Sequence, residues 1–289
     1  MQSALRTRFA PSPTGYLHLG TAFSALYAYE KVTAIGGSFL LRIEDIDRGR
    51  CRPEYEAAIL EDLAWLGIKW EEPVLRQSDR TEVYRNTLHT LETLGVTYPC
   101  FCTRKEIQEE AARSANAPHG PEGLLYPGTC RGLTTTEALE RYAAGDRAVI
   151  RLNLAKALSL VSGEIYFQEI GRGPDGETGM VLCHPELLGD VVLARKDVGT
   201  SYHLAAVTDD AEQGVNLVAR GEDLFHATSI HRLLQELLAL PAPVYDHHRI
   251  ITADDGRRLS KRDQDKSIRS LRENGKSPED VRALLGFQW

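Results

Sequence analysis

No apolar run in this chain comes near the roughly 18 residues that a membrane-spanning helix needs. The opening stretch, Met1 to Arg8, lacks a basic start followed by an apolar signal core. Both absences point to a protein that stays in the cytoplasm. Internal repeats and low-complexity segments are also missing, so a repeat architecture is not expected. Cysteines number only five and are irregularly spaced, which does not read as a disulfide framework. A cationic excess is lacking too: the net charge of −7 argues against a protein that coats nucleic acid indiscriminately. What is present is ordinary for a globular chain of 289 residues, 42% hydrophobic and 26% charged. That length suffices for one large α/β domain or two modest ones.

The charge is unevenly spread. From Arg257 to Trp289 nine Lys/Arg face five Asp/Glu, leaving −11 for the remainder. Such a patch suits a polyanion such as tRNA, or equally a solvated basic helix face. Apolar segments alternate with helix-like ones, the pattern of an α/β fold with a mainly parallel sheet. The spacing predicts a strand over Leu5–Ala10, a helix over Thr21–Ile35 closed by Gly36 and Gly37, and a strand over Ser38–Ile43. Helices are expected at Pro53–Leu66 and Ser78–Leu94. Short ones should start at Thr103 and Thr134, each with a glutamate three residues on. The α/β pattern resumes at Asp190–Arg195, with a helix near Tyr202–Ala211, a strand Val215–Ala219 and a helix His226–Leu240; helix returns from about Ser277. These divisions give a first α/β half (1–97), an insertion (98–189), a second half (190–245) and a C-terminal region (246–289).

The segment FAPSPTGYLHLGT, Phe9 to Thr21, leads a strand through a Pro/Gly-constrained loop into a helix start. That arrangement offers backbone N–H groups and a positive helix end to an anion. His18 can donate to a phosphate, and Gly20 permits close backbone approach. Far downstream, Arg258-Leu259-Ser260-Lys261-Arg262, read alone, is a basic surface turn. Three thiols, Cys100, Cys102 and Cys130, flank a Pro/Gly-rich loop as in a structural zinc knuckle. From spacing alone the fourth ligand stays open among Tyr126, His119, and His184 with Cys183 nearby.

These motifs resemble those of the class I aminoacyl-tRNA synthetases. His18-Leu19-Gly20-Thr21 is similar to their HIGH motif, with Thr21 for the second histidine as in the glutamyl branch. Arg8-Phe9-Ala10-Pro11-Ser12 and Arg42-Ile43-Glu44-Asp45-Ile46-Asp47 resemble the glutamyl/glutaminyl subgroup, and the late basic segment resembles KMSKS. In the late segment Arg258, Leu259 and Arg262 depart from the KMSKS pattern, leaving Lys261 as its one lysine. The resemblance implies a Rossmann-like catalytic domain with a zinc-containing insertion and a small helical C-terminal region. It implies catalytic roles for His18, Gly20, Thr21 and Lys261, and ATP contacts from His18, Gly20, Ser260 and Lys261. Arg8, Ala10, Ser12, Glu44, Tyr202 and Arg220 would line a glutamate pocket, the arginines for carboxylates and Glu44 for the ammonium.

The spacing Tyr126-x-x-x-Cys130 is similar to the zinc set of glutamyl-queuosine tRNA(Asp) synthetases, which implies Tyr126 as the fourth ligand. Only 28 residues follow Lys261, fewer than the roughly 50 expected for a separate anticodon-binding domain. The resemblance therefore implies that group: Mg²⁺–ATP and L-glutamate as substrates, and tRNA(Asp) carrying queuosine as acceptor, handled by a monomer. A minimal enzyme charging the 3′ end of tRNA and a non-catalytic tRNA- or nucleotide-binding relative are the rival expectations.

Overall fold

The computed structural model describes residues 4–113, 119–121, 123–251 and 267–287, with backbone alone at 111–113 and 119. The chain opens with strand β1 (Arg6–Phe9), helix α1 (Leu19–Thr33), β2 (Ser38–Ile43), α2 (Pro53–Trp65), β3 (Glu71–Arg76) and α3 (Thr81–Thr93). Its middle supplies β4 (Thr97–Cys100), α4 (Arg104–Arg113), β5 (His119–Gly120), β6 (Gly123–Leu124) and α5 (Thr135–Ala143). Next come β7 (Val149–Leu152), α6 (Leu154–Ser159), β8 (Tyr166–Glu169), β9 (Gly179–Leu182) and β10 (Val192–Ala194). The final part holds α7 (Tyr202–Glu212), β11 (Leu217–Gly221), α8 (Ala227–Leu237), β12 (Val244–His248), α9 (Ile268–Glu273) and α10 (Pro278–Leu285).

Strands β1, β2 and β3 pair in parallel, in that order. Strands β11, β12 and β8 are likewise parallel, and β9 closes that edge antiparallel. The two groups meet where β1 lies beside β11. There Asn216 bridges them, its backbone N–H donating to Arg6 O at 3.1 Å and its Oδ1 accepting from Arg6 N–H at 2.8 Å. Chain direction away from the centre reverses at this seam, so a crevice opens at the carboxyl ends of β1 and β11, the usual ligand position in open α/β sheets.

Side chains alternate across a strand, and this fixes what each face of the sheet holds. Phe9, Phe39, Leu41, Ile43, Leu217 and Ala219 join one apolar core with α1 and α2. Leu40, Val218 and Tyr245 join a second core with α3, α7 and α8. Helices thus cover both faces, as a parallel sheet requires. Between α1 and β2 the turn has room only for glycine: Gly36 has φ +69°, and a Cβ at Gly37 would fall 2.5 Å from Leu5 O. Helices α9 and α10 dock on the first core through Ile268, Val281 and Leu285. Among the described residues no helix is long and apolar enough to cross a membrane.

The expected elements differ from the observed ones in two instructive places. The strand read at 215–219 is Leu217–Gly221, because Gly214 (φ +65°) and Val215, whose N–H donates to Asp210 O at 2.8 Å, still close off α7. The shift brings Arg220 into the strand. The span 98–189, read as an insertion, supplies strands to three sheets, one of them the small β5–β6 pair. β7 pairs antiparallel with both β4 and β10, whereas β8 joins the parallel sheet through β12, held there by Phe167 packed edge-on to Phe225 and Tyr245.

Candidate active site

Three arginines end neighbouring strands on the sheet face that carries α7 and α8: Arg8 on β1, Arg42 on β2 and Arg220 on β11. All three are buried, and burying a cation is costly unless it is paired and hydrogen-bonded. Arg8 satisfies this with two bonds to Asp210, 2.8 Å to Oδ1 and 3.3 Å to Oδ2. Arg42 donates to the same Asp210 Oδ1 at 2.7 Å and to Glu44 Oε1 at 3.3 Å. Although burial opposes it, Arg8 and Arg42 hold the Asp210 carboxyl below the usual carboxylate range.

Arg220 is different. Its Nε–H donates to His247 Nε2 at 3.1 Å, its Nη2 to Thr228 Oγ1 at 2.7 Å, and its Nη1 to Tyr202 Oη at 3.2 Å and His231 Nδ1 at 3.3 Å. Among the described residues it makes no ion pair with a carboxylate. Its histidine neighbours do not add charge: burial, reinforced by Arg220, holds His231 well below its ordinary value, and burial holds His247 to about 4. A buried guanidinium ringed by neutral groups is a receptor for an anion from outside. Glu44 complements it. Burial pushes its carboxyl up, against the pull of Arg42 and Arg8, so a ligand cation beside it would favour its ionised form.

Both groups open into one cavity of about 300 Å³, lined also by Arg8, Ala10, Ser12, His18, Gly20, Thr21 and Tyr202. The Pro/Gly loop is laced in place, Pro11 O accepting from Glu44 N–H at 2.9 Å and Pro13 O from Arg52 N–H at 3.0 Å. His18 caps α1. Its Nδ1 accepts from Thr21 N–H at 3.3 Å, while Thr21 Oγ1 accepts from His18 N–H at 3.0 Å and donates to His18 O at 2.8 Å. With Nδ1 accepting, the neutral ring carries its proton on Nε2, a donor suited to a phosphate oxygen beside the positive helix end. Thr21 therefore acts through His18. A Cβ at Gly20 would fall 3.2 Å from the His18 ring, so glycine keeps that ring in place.

Ser260 and Lys261 lie outside the described residues. The chain that flanks them abuts the same loop: Ile251 lines the cavity, Ser267 bridges to His18, and Ile268 N–H donates to Leu17 O at 2.8 Å.

A second cavity, of about 780 Å³, shares Ser12, Glu44 and Tyr202 with the first. Its lining includes Arg50, Arg104, Arg151, Arg195 and Lys196, cations suited to phosphates, of which Arg50 and Arg195 are paired with Asp47 and Asp197. Beside it the three thiols converge. One sulfur each from Cys100, Cys102 and Cys130 lies within 4.8 Å of the others, and Tyr126 Oη stands 3.6 Å from Cys102 Sγ. The Cys130 N–H donates to that phenol oxygen at 2.8 Å. Burial pushes the Cys102 thiol up to about 11, whereas Cys130 is lowered, against its burial, by hydrogen bonds led by Tyr126; a cation bound here would displace the thiol protons. Three sulfurs and a phenol oxygen suit a four-coordinate, borderline-soft divalent ion.

The structure thus gathers Arg8, Ala10, Ser12, His18, Gly20, Thr21, Glu44, Tyr202 and Arg220 around one cavity, and Cys100, Cys102, Tyr126 and Cys130 around another point. Of the alternative ligands, His184 instead pairs with Glu186 at 2.8 Å, and Cys183 belongs to the second apolar core; the His119 side chain lies outside the described residues. Sequence reasoning missed Asp210, Thr228, His231 and His247. The adjacent pair His247-His248 was visible, but it carries no signal without knowing that β12 lies beside β11.

Residues 4–288 match the family model described as tRNA synthetases class I (E and Q), catalytic domain. The chain is 49% identical to a glutamyl-Q tRNA(Asp) synthetase of Rhodobacter capsulatus, over 97% of this chain and 99% of that protein. It is 42% identical to the protein of the same name from Nocardia farcinica, over 96% and 82%. Among solved structures it is similar to a glutamate tRNA ligase from Elizabethkingia meningosepticum in complex with its amino acid, with a TM-score of 0.79 and 30% identity. That match covers 98% of this chain and 60% of the ligase.

Proposed function

Because the chain belongs to the class I tRNA synthetases of the E and Q branch, and within it to the glutamyl-Q tRNA(Asp) synthetases, it is a ligase, and we propose that it activates L-glutamate with ATP and transfers it to the queuosine base of tRNA(Asp). The observation that carries this reading is Arg220: a buried cation without a carboxylate partner among the described residues, facing Glu44 across a cavity that ends at the α1 N-terminus. Arg220 and Arg8 receive the carboxylates of glutamate, Glu44 takes its ammonium, and Tyr202 and Ser12 add hydrogen bonds. ATP lies with its phosphates at His18 and Gly20.

In the first step the glutamate α-carboxylate attacks the α-phosphorus of Mg²⁺-bound ATP in line, and pyrophosphate leaves. His18 Nε2–H and the helix end stabilise the charge that spreads over the phosphate oxygens. Lys261 supplies a further cation. In the second step a hydroxyl of the acceptor base attacks the mixed anhydride and AMP departs. The second cavity admits the acceptor, since it adjoins the glutamate pocket through Ser12, Glu44 and Tyr202. No enzyme nucleophile is required; orientation and electrostatics supply the rate. A structural Zn²⁺ held by Cys100, Cys102, Tyr126 and Cys130 would cross-link β4 to the loop that carries Cys130.

The test is an incubation with labelled glutamate, ATP and tRNA containing or lacking queuosine, followed by fragment mapping. Label on an anticodon-loop fragment only when queuosine is present supports the proposal. Label at the 3′ end would make the protein a minimal glutamate–tRNA ligase, and no glutamate-dependent ATP–pyrophosphate exchange would leave a non-catalytic relative. Lys261→Ala is expected to slow that exchange at least about tenfold, some 1.4 kcal/mol of barrier.

A further inference from the structure

Behind Arg220, on the side away from the cavity, stands a buried carboxylate that the proposed chemistry does not use. Glu169 ends β8 and is 1% exposed. Its Oε1 accepts from Gly171 N–H at 2.8 Å and from His247 N–H at 2.9 Å, and its Oε2 lies 2.5 Å from His247 Nδ1. The loop after β8 is pressed onto β12 so closely that a Cβ at Gly171 would fall 2.3 Å from His247 O. Only glycine fits, and the carboxylate has no freedom to turn elsewhere.

The two faces of the His247 ring then have fixed roles. A carboxylate at Nδ1 demands a proton there, and Nε2 is left as the acceptor that the Arg220 Nε–H uses at 3.1 Å. We infer that Glu169 is a positioning residue for the carboxylate-binding step: through His247 it fixes the fork of Arg220, one strand over, in the orientation that receives the substrate. The same carboxylate, at one remove through His247, places negative charge behind that guanidinium while leaving its cavity side to the ligand. A direct Glu–Arg pair would have neutralised the guanidinium; the interposed imidazole takes up only its Nε–H and leaves it without a carboxylate partner among the described residues. This rests on the glutamate-activating reading above.

The isosteric change Glu169→Gln isolates the effect. The amide oxygen can still accept from Gly171 and His247 N–H, but the amide NH₂ set against Nδ1 makes that nitrogen the acceptor. The ring proton then moves to Nε2, where it opposes the Arg220 Nε–H donor to donor. The expected result is a glutamate KM raised about tenfold to hundredfold, with the ATP KM unchanged within about twofold. The ¹⁵N signals of His247 should exchange their protonated and unprotonated positions, the urea midpoint should stay near that of the wild type, and Glu169→Asp, which keeps an acceptor, should fall between the two. An unaltered glutamate KM, or equal rises in both KM values with a lowered urea midpoint, would overturn the inference and leave Glu169 a structural residue. A wild-type protein without glutamate-dependent exchange would overturn the functional reading itself; wild-type exchange with an indifferent Glu169→Gln overturns the inference alone.

Discussion

Arg8 and Arg220 reach the same cavity from adjacent strands, yet Arg8 is clasped by Asp210 while Arg220, among the described residues, is held only by neutral side chains. The pair divides the work of a dicarboxylate site. Arg8 is electrostatically settled before a ligand arrives, whereas Arg220 gains its first anionic partner from the ligand.

Replacing Arg220 by lysine keeps the charge and loses the planar fork that His247, Thr228 and Tyr202 orient. The glutamate KM is expected to rise about tenfold to hundredfold, with the ATP KM moving by less than about threefold. Steady-state ATP–pyrophosphate exchange with each substrate varied in turn makes the comparison, and parallel changes in both constants would count against a carboxylate role.

His18→Ala removes both a phosphate donor and the cap of α1. Adenylate formation should slow about tenfold to hundredfold, and stability should fall by about 1 kcal/mol from the lost cap. Single-turnover kinetics and urea unfolding separate the two; a normal rate in the destabilised variant would reduce His18 to a cap.

Asp62, on α2, is 1% exposed, and among the described residues neither of its carboxyl oxygens has a hydrogen-bond partner. Nη1 of Arg272, on α9, stands 3.9 Å from Asp62 Oδ1, while Nη2 of the same side chain binds Glu61 Oε1 more closely, at 2.9 Å. Burial raises the Asp62 carboxyl from 3.8 to about 6. With the folded value above the unfolded one, the folded state binds the extra proton. This contribution to stability is therefore full below about pH 4 and is lost as pH rises through about 6, a change of about 3 kcal/mol. Asp62→Asn should stabilise the protein near pH 7 by roughly 1–3 kcal/mol and flatten that part of the stability profile. Urea midpoints taken from pH 4 to 8 give the answer, and a variant less stable than the wild type at pH 7 contradicts it.

For the cysteine cluster, protein grown with zinc should contain about one equivalent per chain, and its removal by a chelator should lower the melting temperature. Cys102→Ser should lose the metal outright, and Tyr126→Phe should weaken it. Elemental analysis showing no zinc in the untreated protein would leave the four residues as a packed thiol cluster.

Most of the first 95 residues, though not β3, were readable in the sequence because their signals are local. Apolar spacing marks α1 and α2, Gly36, Gly67 and Gly95 follow the helix ends, and the capping box at Thr134 is formed as its residues imply. Strands β8 and β12 escaped notice for a physical reason. They bury Glu169, Asp246, His247 and His248, so their polar pattern reads as a surface loop. Only the fold makes those residues interior, by setting β12 between β11 and β8. Likewise nothing near Arg8 in the chain announces Asp210, its partner 202 residues away. The pocket residues came through their resemblance to a known motif, whereas the groups that tune them are long-range and carry no motif.

Asn216 ties β1 to β11 at the end of the seam away from the crevice, and beyond it the two strands form no continuous ladder. The gap between the walls bearing Arg8 and Arg220 is thus gauged from below by the bonds that Asn216 makes to Ala4 and Arg6. Evolution or design could retune the grip on a small dicarboxylate there, altering width without exchanging any group that touches it.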